Sequence, residues 1–472
     1  GLIQLFRIVR AMSRTSEIYL CALCEGTAAQ WVGRCPHCGE WNTLTATARR
    51  ADAVAASSAV SLRLVDGGDA APMPTGVDEL DRVLGGGIVA GSVTLVFGPP
   101  GVGKSTLLFQ VLATVAATGV DVVLASAEES LAQVSGRASR IGAVPERLLA
   151  LAGSDVGAIE AALVGHRPAL VVVDSIQSIA DERLPGAAGS LAQVRGCVER
   201  LTRLAKSTGV PVVLVGHVTK DGDLAGPRTI EHLVDTVISF DGDRHHSLRI
   251  LTAVKHRFGP VGEVGIFEMR EDGFRAVPDP GAMLLGDRMV GVPGSVVVPV
   301  LQGRRPLLVE VQALFAPAAA GTRPHTLGID ASRVALLLAV LRCRTDVEIG
   351  GGEVFAAAVG GISITEPAVD LAVALAVASA AQGRVVPSEL VAFGELGLAG
   401  EVRMAPGAER RLAEAFRAGF TRALIPASTP PDAVPAGMEV EHVRTLAEAL
   451  AHTGPRGIAG TMPGWSIVAA SR

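Results

Sequence analysis

Residues Gly98-Pro99-Pro100-Gly101-Val102-Gly103-Lys104-Ser105, extended by Thr106, follow the pattern G-x-x-x-x-G-K-[ST], and no other stretch narrows the possible folds of this chain as much. The run Val93 to Phe97 before it is apolar and of the length of a buried strand, and the residues after it, Thr106 to Ala117, read as a helix. Strand, glycine loop and helix in that order make a phosphate-binding loop. Its glycines let backbone N–H groups turn inward on phosphates, Lys104 brings a positive charge to the β- and γ-phosphoryl oxygens, and the Ser105 hydroxyl can ligate Mg²⁺ at a helix N-terminus. The expected ligands are ATP and Mg²⁺.

A chain of 472 residues, at roughly 100–200 per domain, has room for two or three domains with substantial cores. Its apolar content of 49% is carried by Ala, Val and Leu. No apolar run reaches the ~18 residues of a membrane span, and the longest, Leu371 to Ala381 beside Asp370, reads as a core helix. Gly1 to Met12 is apolar but broken by Arg7 and Arg10, without a hydrophobic core region or small-residue cleavage site, so no secretory signal is expected and Met12 offers a natural start. The chain is expected to be cytoplasmic, without membrane contact. A formal charge of −5 argues against a surface coated for nucleic acid, so DNA contact is expected to be local.

Cys21-Ala22-Leu23-Cys24 and Cys35-Pro36-His37-Cys38 form two C-x-x-C knuckles separated by ten residues. Each knuckle puts two thiolates within reach of one tetrahedral ion, the pattern of a structural Zn²⁺ site, with His37 between ligands and facing solvent. Trp31 and Trp41 are expected to pack on the knuckles. The expected organisation is a zinc finger over 13–45, a linker over 46–72, an α/β nucleotide-binding domain over 73–277, a C-terminal α+β domain over 284–452 and a poorly ordered tail over 453–472. Within the second of these domains, strands at Asp121 to Ser126, Leu170 to Val173 and Val210 to Val215 alternate with helices and predict a mainly parallel sheet. Runs at Thr236 to Phe240, Leu248 to Val254 and Val264 to Met269 read as antiparallel additions at one edge. In the C-terminal part, strands Ser295 to Pro299 and Leu307 to Ala313 precede helices at Arg333 to Leu341 and Ala368 to Ala380.

Asp174 ends the apolar run Leu170 to Val173, where a carboxylate can hold the water shell of Mg²⁺ opposite the phosphate loop. Glu128 and Glu129 follow the neighbouring strand at the carboxyl edge where ligands of such sheets sit; one of them should orient the attacking water, and on residue type alone they are equivalent. His217 closes the run Val212 to Val215 at the same edge. It is either a structural histidine or a group that senses the γ-phosphate and passes the signal to the glycine-rich stretch Lys220 to Arg228, which reads as a DNA-facing loop or a plain solvated one. Lys255 and Arg257 sit two apart after a strand, so extended chain points them to one face, as solvated cations or as charges reaching a neighbour's phosphate.

Together these pieces resemble the bacterial RadA (Sms) family of DNA repair proteins, relatives of RecA, over residues 13 to about 450. The most specific marker is Lys255-His256-Arg257-Phe258-Gly259, similar to the family's K-N-R-F-G with His for Asn, and Val215 to Gly222, Leu224 to Pro227 and Phe393 to Glu401 match as well. The resemblance implies a four-cysteine finger, a RecA-like ATPase core and a Lon-protease-like C-terminal domain. It also implies a homo-hexameric ring on single-stranded and branched DNA, ATP-driven branch migration, and cooperation with the RecA recombinase. It selects Glu128 as the residue that orients the attacking water and makes Lys255 and Arg257 a pair acting on a neighbouring subunit's nucleotide.

Two other functions compete: a Lon-type ATP-dependent protease, and a clamp that uses nucleotide only to assemble. An active Lon-like domain resembles a Ser/Lys dyad. The family pattern puts its nucleophile at Ala368 and its lysine at Ala408, with Arg410 too basic to replace it, so a proteolytically inactive domain is expected, though Ser363 and Thr365 lie nearby. Arg304, Arg305 and Arg403 are then candidate phosphate contacts.

Overall fold

A computed structural model of the chain describes residues 18–24, 26–28, 30–47, 71–217, 227–242, 248–316, 324–349 and 352–452. The expected tail at 453–472, residues 48–70 of the expected linker and residues 220–226 of the candidate DNA-facing loop lie outside the described residues. The chain divides into two compact units, Gly1–Gly68 and Asp69–Arg472.

In the first unit, β1 (Ile18–Cys21), β2 (Thr27–Ala28) and β3 (Leu44–Thr47) form an antiparallel sheet in the order β2-β1-β3. Its buried centre is Cys21, Cys35 and Leu44. Trp31 and Trp41 are 56% and 68% exposed, which corrects the expectation that they pack on the knuckles. So short a module has no room to cover two indoles, and the cysteine cluster occupies the place a hydrophobic core would take.

The second unit contains two large sheets. The nine-stranded sheet has β4 (Val93–Gly98), β5 (Val122–Ser126), β6 (Leu148–Ala152), β7 (Leu170–Asp174), β8 (Val212–His217), β9 (Thr236–Asp241), β10 (Leu248–His256), β11 (Val264–Arg270) and β12 (Gly273–Ala276), in the order β12-β11-β10-β9-β4-β8-β7-β5-β6. From β9 to β6 every neighbouring pair is parallel. Helices cover such a sheet on both faces, so its inner strands are continuous apolar runs: β5 and β7 are buried at every position. The expected antiparallel placement of Thr236 to Phe240 is overturned, because this segment runs parallel to β4, with Thr94 opposite Thr236, and only β10 to β12 run antiparallel. The stretch between β8 and β9 is long enough for the crossover past β4 that two parallel strands on either side of it require.

The seven-stranded sheet is built from β13 (Ser295–Gln302), β14 (Arg305–Ala316), β15 (His325–Leu327), β16 (Glu353–Ala358), β17 (Leu390–Ala392), β20 (Arg422–Pro426) and β21 (Glu439–Val443); β18 (Glu395–Leu396) and β19 (Val402–Arg403) pair separately. The helix Asp370–Gln382 crosses behind it. Every residue from Asp370 to Ser379 is buried, as expected of a helix apolar on all sides, and it packs on β13, β14 and the helices Ala331–Arg344 and Leu446–Ala451. Burying each of Leu371, Val373, Leu375 and Val377 stabilises this layer by about 1.5–3 kcal/mol relative to exposure.

Candidate nucleotide site and metal centre

Strand register assembles the nucleotide site. Gly98 lies opposite His217 and Ser126 opposite Asp174, so the carboxyl ends of β4, β8, β5 and β7 meet at one edge. Ligands of open parallel sheets bind there. The phosphate loop leaves β4 and enters the helix Lys104–Ala117. Gly101 and Gly103 have φ of 79° and 107°, and a Cβ on Gly103 would lie 2.4 Å from the Phe274 ring, so glycine is required there both by backbone and by space. The loop is braced from behind. Phe274 N–H donates to Gln110 Oε1 at 2.8 Å, and the buried Arg249 donates from Nε to the Val102 carbonyl at 3.2 Å. No side chain caps the helix at Gly103, which leaves its first-turn N–H groups for an anion. With Ser105 and Thr106 in that first turn and Asp174 at the end of β7, the donor set fits a Mg²⁺-bound nucleotide.

Lys104 is 3% exposed, and its Nζ donates to the carbonyls of Gly98 at 2.8 Å and Pro99 at 3.0 Å. Burial pulls its amine below the ordinary lysine range, against the pull of the Asp174 and Glu128 carboxylates. The two acids that were equivalent on residue type occupy different surroundings. Glu129 pairs with Arg137 at 3.0 Å on the helix Leu131–Ile141. Glu128 accepts hydrogen bonds at Oε1 from the Ser175 hydroxyl, by a short contact, and from the Ser178 hydroxyl at 3.0 Å, and the same oxygen is 3.5 Å from His217 Nε2. Burial pushes the Glu128 carboxyl up, yet these hydroxyls and His217 outweigh it and hold the group below the usual range. Gln177 Nε2 donates to the His217 carbonyl at 3.3 Å, tying the histidine to the same turn. Ser175, Gln177 and Ser178 were not anticipated; the only trace in the sequence is a polar turn directly after Asp174.

Lys255 and Arg257 both reach the segment from Glu231 to Asp235 that leads into β9. Lys255 Nζ donates to the carbonyls of Glu231 at 2.6 Å and Val234 at 2.8 Å, and Arg257 Nη1 to Asp235 Oδ1 at 2.9 Å. Between them His256 is partly buried, with Nδ1 3.0 Å from Thr236 Oγ1 and Nε2 3.1 Å from the Leu84 carbonyl, so this histidine is a packing residue. Burial lowers its pKa.

In the first unit, the four sulfurs of Cys21, Cys24, Cys35 and Cys38 lie within 4.8 Å of one another, with Cys21 to Cys38 and Cys24 to Cys35 both at 3.7 Å. A tetrahedron with metal–sulfur bonds of about 2.3 Å has edges of roughly 3.8 Å, so these two edges and the four-thiolate donor set fit Zn²⁺. His37 is exposed and, among the described residues, stands outside the group of metal-ligating side chains.

In the C-terminal part, Ala368 and Ala408 are both buried at the starts of the Pro367–Val369 turn and the helix Ala408–Arg417. Beside them Arg411, fully buried, forms a bidentate pair with Glu366: Nη1 to Oε1 at 2.8 Å and Nη2 to Oε2 at 2.5 Å. Of the three candidate phosphate contacts, Arg305 is withdrawn, because its guanidinium is engaged by the buried Glu79 and by the carbonyls of Val264 at 3.2 Å and Pro278 at 3.0 Å. Arg304 and Arg403 remain 44% and 60% exposed.

Comparison with known proteins agrees with this layout. Residues 62–223 match the family described as AAA domain, 19–46 the rubredoxin metal binding domain, and 360–429 subunit ChlI of Mg-chelatase. Over 446 residues the chain is 44% identical to DNA repair protein RadA of Mycolicibacterium smegmatis, covering 91% of this chain and 95% of that protein. It is 43% identical over 449 residues to DNA repair protein RadA of Pseudomonas aeruginosa and 41% identical over 452 residues to that of Bacillus subtilis, in each case covering 93% of this chain and 99% of the relative.

Proposed function

From the premise that the chain belongs to the family of the DNA repair protein RadA, we propose that it is a DNA-dependent ATPase that drives branch migration of recombination intermediates. In this reading it is a cytoplasmic homo-hexamer, works on single-stranded and branched DNA, and cooperates with the RecA recombinase. The observation that carries the ATPase reading is the convergence, at one sheet edge, of a braced phosphate loop, Lys104, Asp174 and the Glu128 carboxylate.

Lys104 exchanges its two loop carbonyls for phosphoryl oxygens when ATP enters, so the ammonium is already at the loop before the nucleotide arrives. Ser105 and the shell held by Asp174 are the residues for Mg²⁺, which when bound neutralises charge on the β- and γ-phosphoryl oxygens. Glu128, kept ionised by its hydroxyl donors, takes the proton of the attacking water. His217 touches the same carboxylate from the end of β8 and is placed to report the state of the γ-phosphate to the residues after it. Lys255 and Arg257 supply positive charge to the nucleotide of a neighbouring subunit.

The C-terminal domain is read as proteolytically inactive: alanines stand at both dyad positions, and no lysine follows Lys255 in the sequence. Its exposed Arg304 and Arg403 are candidates for backbone phosphate contact. The test is ATP hydrolysis with and without single-stranded DNA. We expect DNA to stimulate turnover and Lys104→Ala to abolish it, with no casein cleavage by either protein; wild-type hydrolysis by Lys104→Ala would overturn the assignment.

A further inference from the structure

Each hydrogen bond and ion pair of the Glu128 carboxylate falls on a single oxygen. Oε1 receives the Ser175 and Ser178 hydroxyls and lies next to His217 Nε2, while Oε2 takes no partner among the described residues. Both serine hydroxyls lie within donating distance of Oε1, and their oxygens are 3.2 Å from each other, so the two hydroxyls and Oε1 form one cluster. Two donors to one oxygen, arriving from one turn, fix the rotation of the carboxylate plane, which a single donor leaves free. The other oxygen then keeps its lone pairs pointed at the open side of the site, where Glu128 is 44% exposed.

We infer that Ser175 and Ser178 are positioning residues for hydrolysis: they clamp Oε1 of Glu128 so that Oε2 is the oxygen that accepts the proton of the attacking water. The inference rests on the reading of Glu128 as the general base. The turn that carries the serines does not depend on their hydroxyls, because Ser178 N–H donates to the Ser175 carbonyl at 3.1 Å. Ser175 is fully buried beside Asp174, whereas Ser178 is partly exposed and holds its place through the backbone. Removing the Ser178 hydroxyl therefore loosens the base while leaving the fold and the phosphate loop alone.

The experiment compares Ser178→Ala, Ser178→Thr and Glu128→Gln in the full chain with ATP, Mg²⁺ and single-stranded DNA. For Ser178→Ala we expect kcat to fall roughly ten- to hundredfold, the scale of a misplaced catalytic group, with KM for ATP and the melting temperature unchanged. Ser178→Thr, which keeps the hydroxyl, should recover most of kcat. Wild-type kcat in Ser178→Ala alongside a disabled Glu128→Gln would overturn the clamp and spare the base. A loss in Ser178→Ala that appears equally in KM or in melting temperature would assign the serine a structural role and overturn the clamp as well. Near wild-type hydrolysis in Glu128→Gln would reject Glu128 as the base, and the clamp with it.

Discussion

Arg411 is a guanidinium with no exposed surface, held by Glu366, by the Pro299 carbonyl at 2.6 Å and by the Pro406 carbonyl at 2.9 Å. Glu366 also accepts from the Leu301 N–H at 2.7 Å, so one ion pair joins β13, the Pro367–Val369 turn and the helix Ala408–Arg417. Truncating one member of a buried pair strands the other, at a cost of about 3–5 kcal/mol. Glu366 is 21% exposed and can partly rehydrate, so Arg411→Ala is expected near the lower end, measured as a loss in denaturant unfolding free energy. The double variant Glu366→Gln, Arg411→Met should lose less than the single one. This pair was not legible in the sequence, where attention to the lysine position fell on Arg410; which of two adjacent arginines faces inward is decided by helix phase against the sheet. Glu128 and Glu129 pose the same problem, and only strand register brings the first over the Ser175 turn. By contrast Lys104, Asp174 and the four cysteines were readable because each is set by a short local motif.

At the scale of elements, the connection between β7 and the helix Leu191–Thr208 is fastened by Asp181. Its carboxylate receives the Arg183 side chain through two bonds of 2.9 Å and Arg200 at 3.0 Å, and its N–H donates to Gln193 Oε1 at 2.8 Å. The Arg183 guanidinium, first among these, holds the Asp181 carboxyl well below the usual carboxylate range. A depressed carboxyl stabilises the fold fully above its unfolded pKa of about 3.9, and the contribution is lost as pH falls from there through the folded value. Asp181→Asn should therefore be less stable at pH 7 by about 1.5–3 kcal/mol, the worth of hydrogen bonds to a charged group. Between pH 4 and pH 2, its melting temperature should fall less steeply than that of the parent. The metal ribbon makes a second prediction: Cys21→Ser should lose bound zinc, and chelation of the parent should abolish the ordered structure of residues 18–47, read as loss of their amide dispersion in NMR spectra. Elements that are continuous apolar runs were legible, including β4, β5, β7, β8 and the helix Asp370–Gln382. Among the misses were β6, a short edge strand, most of the short strands after β14, and the direction of β9, because a six-residue strand sequence carries no sign of whether its partner is parallel.

For the molecule as a whole, the proposal to test is that one chain's cations reach another chain's nucleotide. Arg257 is half exposed, and the acid that holds it, Asp235, does not depend on it: Asp235 Oδ2 also accepts the Val93 N–H at 3.0 Å, and Lys206 lies 3.9 Å from Oδ1. Arg257 can therefore leave for a phosphate in trans while the buried Asp235 keeps two other partners, and Arg257→Ala should cost about 1.5–3 kcal/mol, the worth of one hydrogen bond to a charged group. Hydrolysis should suffer far more, since charge supplied in trans to a phosphoryl transition state is worth roughly 10³–10⁵ in turnover. Mixing separates this role from a local one. Arg257→Ala subunits carry an intact phosphate loop and lack the cation; Lys104→Ala subunits carry the cation beside a dead loop. At an interface where the second faces the first, a competent site is rebuilt. Each variant alone should be inactive, and mixed assemblies, verified by native mass spectrometry, should regain a measurable fraction of the parent's ATP turnover. Verified mixed assemblies with no turnover would place Arg257 in its own subunit's site and reject the trans arrangement.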